Sequence, residues 1–368
     1  MSEETTKWLG ATSTAIGVAD EFRRWAVRYA NEDSPFLAAL SIRCADDEEL
    51  MALAGEATPG QPQALIFFGA VHSLVLANPT DQFGRHFGIG SMPLVADDAT
   101  FAALKDFCRR WRSEIIAILK RRTVQITRQR RANFVLPLLG HLLQKGVAEP
   151  FSLVEIGCSA GLLTVFDNYY FDFGAYGRLG DPAYPHVGAP SFAGNRPPIP
   201  AHMPKIAERF GVDLNPVDPL DPSERIWMEG LVAPDAKEER RELREALDAR
   251  AQIPLETIKG DAMRVLPELL PKLKHTSCVL HSFCIYQWSA ELQNELHEML
   301  RAASRARTIY RVGVDLIRDL PGRKEPRTLD PAAVFVTDMV AVTYTNGDAA
   351  WEHLGASDGL GRHIKWLA

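Results

Sequence analysis

The run 151-FSLVEIGCSAGLLTVFDNYYFDFG-174 decides the fold. Phe151 to Ile156 is short, apolar and rich in branched residues, with Glu149-Pro150 before it and Gly157 after it. That pattern predicts a buried strand. Gly157 to Gly161 is a turn of small residues, and Leu162 to Tyr170 is expected to be a helix. Strand, small-residue turn and helix together make the nucleotide-binding half of a doubly wound α/β fold. There the absent side chains let a ligand approach the backbone and the helix N-terminus.

Glu155 sharpens the expectation. A pyrophosphate lies against bare amides and would be repelled by an acid beside it. S-adenosylmethionine has no phosphate and carries an ammonium and a sulfonium, so an acid followed by small residues suits it. Glu155, Gly157, Ser159 and Gly161 resemble the first motif of class I S-adenosylmethionine-dependent methyltransferases, with Ser in place of the middle glycine. The resemblance implies that Glu155, Gly157, Cys158, Ser159 and Gly161 contact the cofactor. A nicotinamide or flavin site, or a packing turn without a ligand, are the alternatives. Cys158 is either a reactive thiol or a small residue that fits.

The chain has 368 residues, room for one large or two ordinary domains. Its formal charge of -6 gives no bulk attraction for nucleic acid or an acidic membrane. No apolar run reaches the ~20 residues a membrane helix needs. The start, MSEETTKWLG, is too polar for a signal peptide. Five scattered cysteines without a C-x-x-C pair point to a reduced, cytoplasmic protein with no metal site.

Residues 1 to 148 read as mostly helical. Ile16, Phe22, Trp25 and Tyr29 recur at helical spacing, and Ser34-Pro35 looks like an N-cap and first helical position. Gln63 to Ala77 reads as a buried helix. Phe83 to Pro93 reads as a loop, and Phe101 to Leu119 as one long amphipathic helix. Such a region before the sheet fits a cap or a homodimer contact. Lys120 to Arg131 is basic without an acid. It suits either an anionic substrate such as RNA or a solvated helix end, with the solvated end preferred. It has no aromatic for base stacking, so a small-molecule substrate is expected and nucleic acid is not. Residues 174 to 204 form a Pro/Gly-rich insertion, either a lid or a surface elaboration.

Residues 149 to 368 supply the remaining strands. Asp213 ends the second and Asp261 follows the third. In the methyltransferase class such acids hold ribose and adenine; here Asp213 also reads as a turn residue and Asp261 as a helix cap. The charged run from 235 to 251 reads as a solvated helix face. Ser277 to Ile285 is the fourth strand and its exit. His281 and Tyr286 would stand near the transferred methyl, His281 as a base or as a structural residue. Arg307 to Leu316 is the fifth strand, Pro321 to Pro331 a polar loop, and Asn346-Gly347 the turn of a closing hairpin.

The order of these segments resembles an uncharacterised bacterial family, a domain of unknown function placed with the class I methyltransferase superfamily. The matching residues are Glu155, Gly157, Ser159 to Leu162, Asp167, Tyr169, Asp172 and Gly174. Gly211, Asp213, Pro216 and Trp227 also match. Upstream, Gln125 and Arg131 match a Q-T-N-E-V-G-R pattern whose Asn and Glu are replaced here. The resemblance implies a Rossmann-like class I methyltransferase sheet, mostly parallel with a closing antiparallel hairpin, behind a helical N-terminal region. It implies S-adenosylmethionine as cofactor. A non-catalytic binder on the same scaffold and a nicotinamide oxidoreductase are the rival functions.

Overall fold

The computed structural model describes residues 17–31, 34–91, 93–325 and 334–368. The N-terminal run MSEETTKWLG, Ile16, Met92 and residues 326–331 of the expected polar loop lie outside them. The described chain forms two compact units. One holds the described residues up to Ile126 together with Leu220–Arg244. The other holds Thr127–Pro219 and the described residues from Glu245 onward.

The first unit is helical. Val18–Asn31 is followed by Pro35–Ala45, Glu48–Ala54 and Gln63–Ala77. Ser34 caps Pro35–Ala45, its hydroxyl accepting from the Leu37 amide at 3.4 Å. Gln63–Ala77 is almost wholly buried, as its unbroken apolar composition requires. Phe22, Phe67, Phe83 and Phe107 anchor the core, the last two rings 4.8 Å apart. The expected long helix is two, Asp98–Arg110 and Arg112–Arg121. The break falls at Trp111, whose indole, with the Arg110 guanidinium, is drawn to Asp81.

The second unit is built on a nine-stranded, mostly parallel sheet. β1 (Phe151–Ile156) lies third from one edge, between β6 (Ile206–Asp213) and β8 (Thr276–Ser282), parallel to both. β7 (Glu256–Lys259) continues beyond β6, and β9 (Ile309–Asp315) beyond β8. An antiparallel hairpin follows, β10 (Thr337–Thr345) and β11 (Asp348–Ser357). Its Asn346-Gly347 turn has both φ values positive, 54° and 87°, as a two-residue hairpin loop demands. β12 (His363–Trp366) and β5 (Ser191–Gly194), absent from the sequence expectation, complete the edge.

Val154, Ile156, Val212 and Val279 share one buried cluster with Ala262–Leu269 and Ala290–Ala303. Each such side chain contributes on the order of 1.5–3 kcal/mol by leaving water. The order of the parallel strands reverses between β1 and β8. Ligands of open α/β sheets bind at such a point, outside the carboxyl ends of the strands.

The helix expected over Leu162 to Tyr170 is absent. Turns run to Val165, a 3-10 turn covers Phe166–Asn168, and β2 (Tyr170–Asp172) starts a separate three-stranded sheet with β3 (Arg178–Leu179) and β4 (His186–Val187). The side chains pull the segment out of a helix. The Thr164 hydroxyl is committed to Glu155, and the Tyr169 hydroxyl donates to the Leu162 carbonyl at 3.0 Å. The Tyr-Tyr-Phe run beyond them is strand-forming.

Candidate functional site

β1 delivers Glu155 to the carboxyl edge, almost fully buried, where it accepts from the Thr164 hydroxyl. Burial pushes its carboxyl up to about 8, against the Thr164 hydrogen bond; the Asp213 charge raises it further. The chain then turns sharply. Ser159 takes a positive φ of 51°, and its amide donates to Asp213 Oδ2 at 2.8 Å. The acid closing β6 thus fixes the turn closing β1.

The small residues of this turn are demanded by the protein's own packing. A Cβ on Gly157 would lie 2.5 Å from Cys284 Sγ, and one on Gly161 2.3 Å from Leu255 Cδ2. Cys158 sits over Gly211, where a Cβ would meet its Sγ at 2.7 Å. The two glycines face the exit of β8 and the entry of β7, and no helix follows directly behind them. This corrects the expectation that bare glycines admit a ligand to a helix dipole. Burial, reinforced by Glu155 and Asp213, pushes the Cys158 thiol far above its usual range, so it is a packing residue and not a thiolate.

Asp213 Oδ1 also accepts from the Asn215 amide at 2.8 Å, so it does hold a turn. Asp261 caps Ala262–Leu269 by accepting from the Met263 amide at 2.9 Å. Glu155, Asp213 and Asp261 therefore mark the carboxyl ends of three neighbouring strands, β1, β6 and β7. Leu214, beside Asp213, is 66% exposed. Sequence reasoning passed over it because an isolated Leu after an acid carries no signal.

His281 is fully buried in β8 with both ring nitrogens engaged. Nδ1 lies 3.1 Å from Asp315 Oδ2, and Arg311 Nε donates to Nε2 at 3.0 Å. An Arg donor at Nε2 places the ring proton on Nδ1, facing the carboxylate. Burial and then the Arg311 charge hold the imidazole below its usual range, against Asp315. The alternative of a general base therefore gives way to a structural histidine, since both ring nitrogens are bonded within the core. Tyr286 is held by its backbone, its amide donating to Asp315 Oδ1 at 3.0 Å.

Asp315 is the residue the sequence reading missed. It is fully buried and also accepts from the amides of Cys284 and Ile285, both at 3.0 Å, and Leu316 at 3.1 Å. It thereby shapes the exit of β8, where Phe283 takes a positive φ of 50°. The signal was present: Arg311 and Asp315, four apart in an apolar strand, share one face and call for buried partners.

The basic run Lys120 to Arg131 is divided. Lys120 is an exposed helix end, 3.1 Å from Glu56, and Arg122 pairs with Glu224. Thr127, Arg128, Gln129 and Arg131 are buried. Arg131 Nε donates to the Gly359 carbonyl at 2.8 Å, and its guanidinium stands 4.6 Å from the Phe283 ring centre. The solvated-end expectation is corrected for these residues. The charged run at 235 to 251 is corrected likewise: Arg240, Glu242 and Arg250 are buried, with Arg250 Nε donating to the Ala160 carbonyl at 3.1 Å.

Among the described residues no group of His, Cys, Asp and Glu is placed to hold a metal ion, and no helix is long and apolar enough to cross a membrane. The chain belongs to the family DUF2332, described as an uncharacterized protein conserved in bacteria, whose model matches residues 19–366. Neither a curated protein nor a solved structure was found to match it.

Proposed function

We propose that the chain is an S-adenosylmethionine-dependent methyltransferase of Rossmann-like class, acting on a small molecule, with its cofactor at the reversal between β1 and β8. The carrying observation is that β7, β6 and β1, three adjoining strands, each deliver an acid to the carboxyl edge. The residues fit a cationic nucleoside. Glu155 is a buried carboxyl without an ion-pair partner close enough to offset its burial, and a cation would supply one. Asp213 would take the ribose, Asp261 the base edge, and exposed Leu214 an apolar ring face. The cofactor, once bound, supplies an activated methyl; the chain's own residues orient the ligands and keep water out. The absence of a helix N-terminus after β1 disfavours a nicotinamide cofactor, whose pyrophosphate relies on one.

A non-catalytic binder on the same scaffold is favoured by a different observation: His281 is sealed, so no imidazole base stands at the fourth strand. Both readings require cofactor binding. Calorimetric titration with S-adenosylmethionine, S-adenosylhomocysteine and NAD tests it. The first two should bind and NAD should not. A cation at Glu155 lowers its carboxyl from about 8, so binding near pH 7 should release a proton and the heat should vary with buffer ionisation. No binding of either sulfur nucleoside would remove the proposal. A screen of small acceptors then separates enzyme from binder.

A further inference from the structure

The nine-stranded sheet ends in two unlike edges. At one, β7 carries Glu256 and Lys259 in a strand of four residues. Charges on an edge strand deter pairing with another chain. At the other, β5 reads Ser191-Phe192-Ala193-Gly194 and has no charge. Ser191, Ala193 and Gly194 are exposed and Phe192 is half-buried. β12 covers β5 on one side only.

The Ser191 amide donates to the Arg362 carbonyl at 2.7 Å, and the Asn195 amide to the Trp366 carbonyl at 2.8 Å. Alternate residues of β5 thus turn their backbone towards β12, and each planar trans peptide sends its other polar group the opposite way. The amides and carbonyls of Phe192 and Gly194 therefore face the open side. Among the described residues no backbone group bonds to them. The Phe192 ring packs edge-on against Tyr176, ring centres 5.0 Å apart, and against Phe173 at 5.8 Å. The Arg196 guanidinium stands 5.7 Å from the Tyr176 ring centre. These contacts hold the strand in place as an edge.

We infer that β5 is the contact between two copies of this chain, paired antiparallel across a two-fold axis at Ala193. The open groups set the register. Phe192 exchanges two hydrogen bonds with the partner's Gly194, and Gly194 does the same with the partner's Phe192. The Phe192 ring then lies opposite a residue without a side chain. Ser191 falls opposite the partner's Asn195, and Arg196 opposite the partner's Pro190, so no like charges meet. A foreign peptide added to a sheet edge is selected through its side chains. The small, uncharged residues of β5 offer little to select one, whereas they match their own reverse. β5 stands on the far side of the sheet from β1, so the contact does not rest on the cofactor reading.

At the axis the two Ala193 residues form a non-hydrogen-bonded pair, with Cα atoms about 4.5 Å apart. A disulfide spans about 4.4–6.8 Å between Cα atoms. In the full chain, Ala193→Cys should therefore give a disulfide-linked dimer on mild oxidation, reversed by dithiothreitol. Thr257→Cys, exposed on β7, should not. The native cysteines are buried or half-buried and add little background. Sedimentation of the unaltered protein should show a monomer–dimer equilibrium with a micromolar Kd, as for a small interface. Ala193→Lys sets two lysines opposite each other and should raise that Kd at least tenfold, while Thr257→Lys leaves it unchanged. Should Ala193→Lys itself lower the melting temperature, the cysteine variants decide. A dimer whose Kd is untouched by a folded Ala193→Lys lies elsewhere and overturns the inference. So does a protein that stays monomeric and whose Ala193→Cys form does not cross-link. A monomeric protein in which a pool of extended peptides slows amide exchange at Phe192 and Gly194 would assign the edge to a peptide and overturn it equally.

Discussion

Each unit buries a histidine against an arginine, and the two pairs differ in the group that faces Nδ1. In the helical unit, Arg240 Nη1 lies 3.0 Å from His72 Nε2, and His72 Nδ1 lies 2.9 Å from the Val232 carbonyl. In the sheet unit, Arg311 Nε lies 3.0 Å from His281 Nε2, and Nδ1 faces the Asp315 carboxylate. Burial and then the Arg240 charge push His72 down to about 3, with only carbonyls opposing them. At His281 burial leads again and a full carboxylate opposes it. A carbonyl partner merely fixes a tautomer. A carboxylate also gathers amides, and Asp315 thereby ties a core histidine to the shape of the turn at the candidate site.

The largest expected effect breaks that tie. Asp315→Ala strands the amides of Cys284, Ile285, Tyr286 and Leu316 and the Nδ1 proton of His281. A loss of about 3–5 kcal/mol is expected, as for several buried donors left without an acceptor. Urea unfolding measures it, and amide exchange at 284–286 should rise with it. A loss below about 1 kcal/mol would show that the turn holds itself. The helical unit has no equivalent substitution, because His72's oxygen partners belong to the backbone.

Each unit also buries a glutamate. Glu21 and Glu155 are both pushed up to about 8 by burial, Glu21 while accepting the Ala64 amide at 3.3 Å. Raised carboxyls hold protons that the unfolded chain releases near its ordinary value. Their stabilising contribution is complete below about 4.5 and is lost as pH rises through about 8. Glu21→Gln and Glu155→Gln should each therefore flatten the decline of stability between pH 5 and 8.5, by at least ~1 kcal/mol per site. His72 works the other way: a lowered histidine loses its contribution as pH falls from about 6.5 towards 3. Adding the ligand should restore pH 8 stability through Glu155 alone, so an equal response in Glu155→Gln would detach this acid from the site.

Arg240→Met is expected to cost about 1–3 kcal/mol, since His72 Nε2 loses its donor inside the core. It also removes a charge that lowers His72, so the acid limb of the stability profile should move to higher pH. An unshifted limb would mean that burial alone sets His72.

Local chemistry made much of this legible in sequence. β1, the Ser34 cap, Gln63–Ala77, the ends of β6 and β8, and the Asn346-Gly347 hairpin each rest on neighbours in the chain. The illegible parts rest on distant partners. The helix after β1 fails because Thr164 and Tyr169 spend their hydroxyls elsewhere. The glycines at 157 and 161 are set by Cys284 and Leu255, more than ninety residues away in sequence. Asp315 looked like the last residue of a strand until the turn it serves, about thirty residues earlier, came into contact with it.

The smallest expected effect divides one basic run between the two units. Lys120 is 60% exposed and pairs across 3.1 Å with a half-exposed Glu56. Such a pair is screened by water and salt and is worth roughly 0–1 kcal/mol. Arg131, eleven residues on, is buried, donates to the Gly359 carbonyl and covers the Phe283 ring. Lys120→Gln should leave stability within about 0.5 kcal/mol of the parent. Arg131→Met should cost several times more and loosen the turn after β8. Neutralising Lys120 and Arg121 also tests nucleic acid without disturbing the core. Mixed tRNA and single-stranded oligonucleotides should bind neither form at micromolar concentration. Tight binding that weakens steeply with salt, and that the Lys120 and Arg121 substitutions abolish, would turn this exposed end into a phosphate-binding stripe. The two halves of the run would then differ by function and not by burial alone.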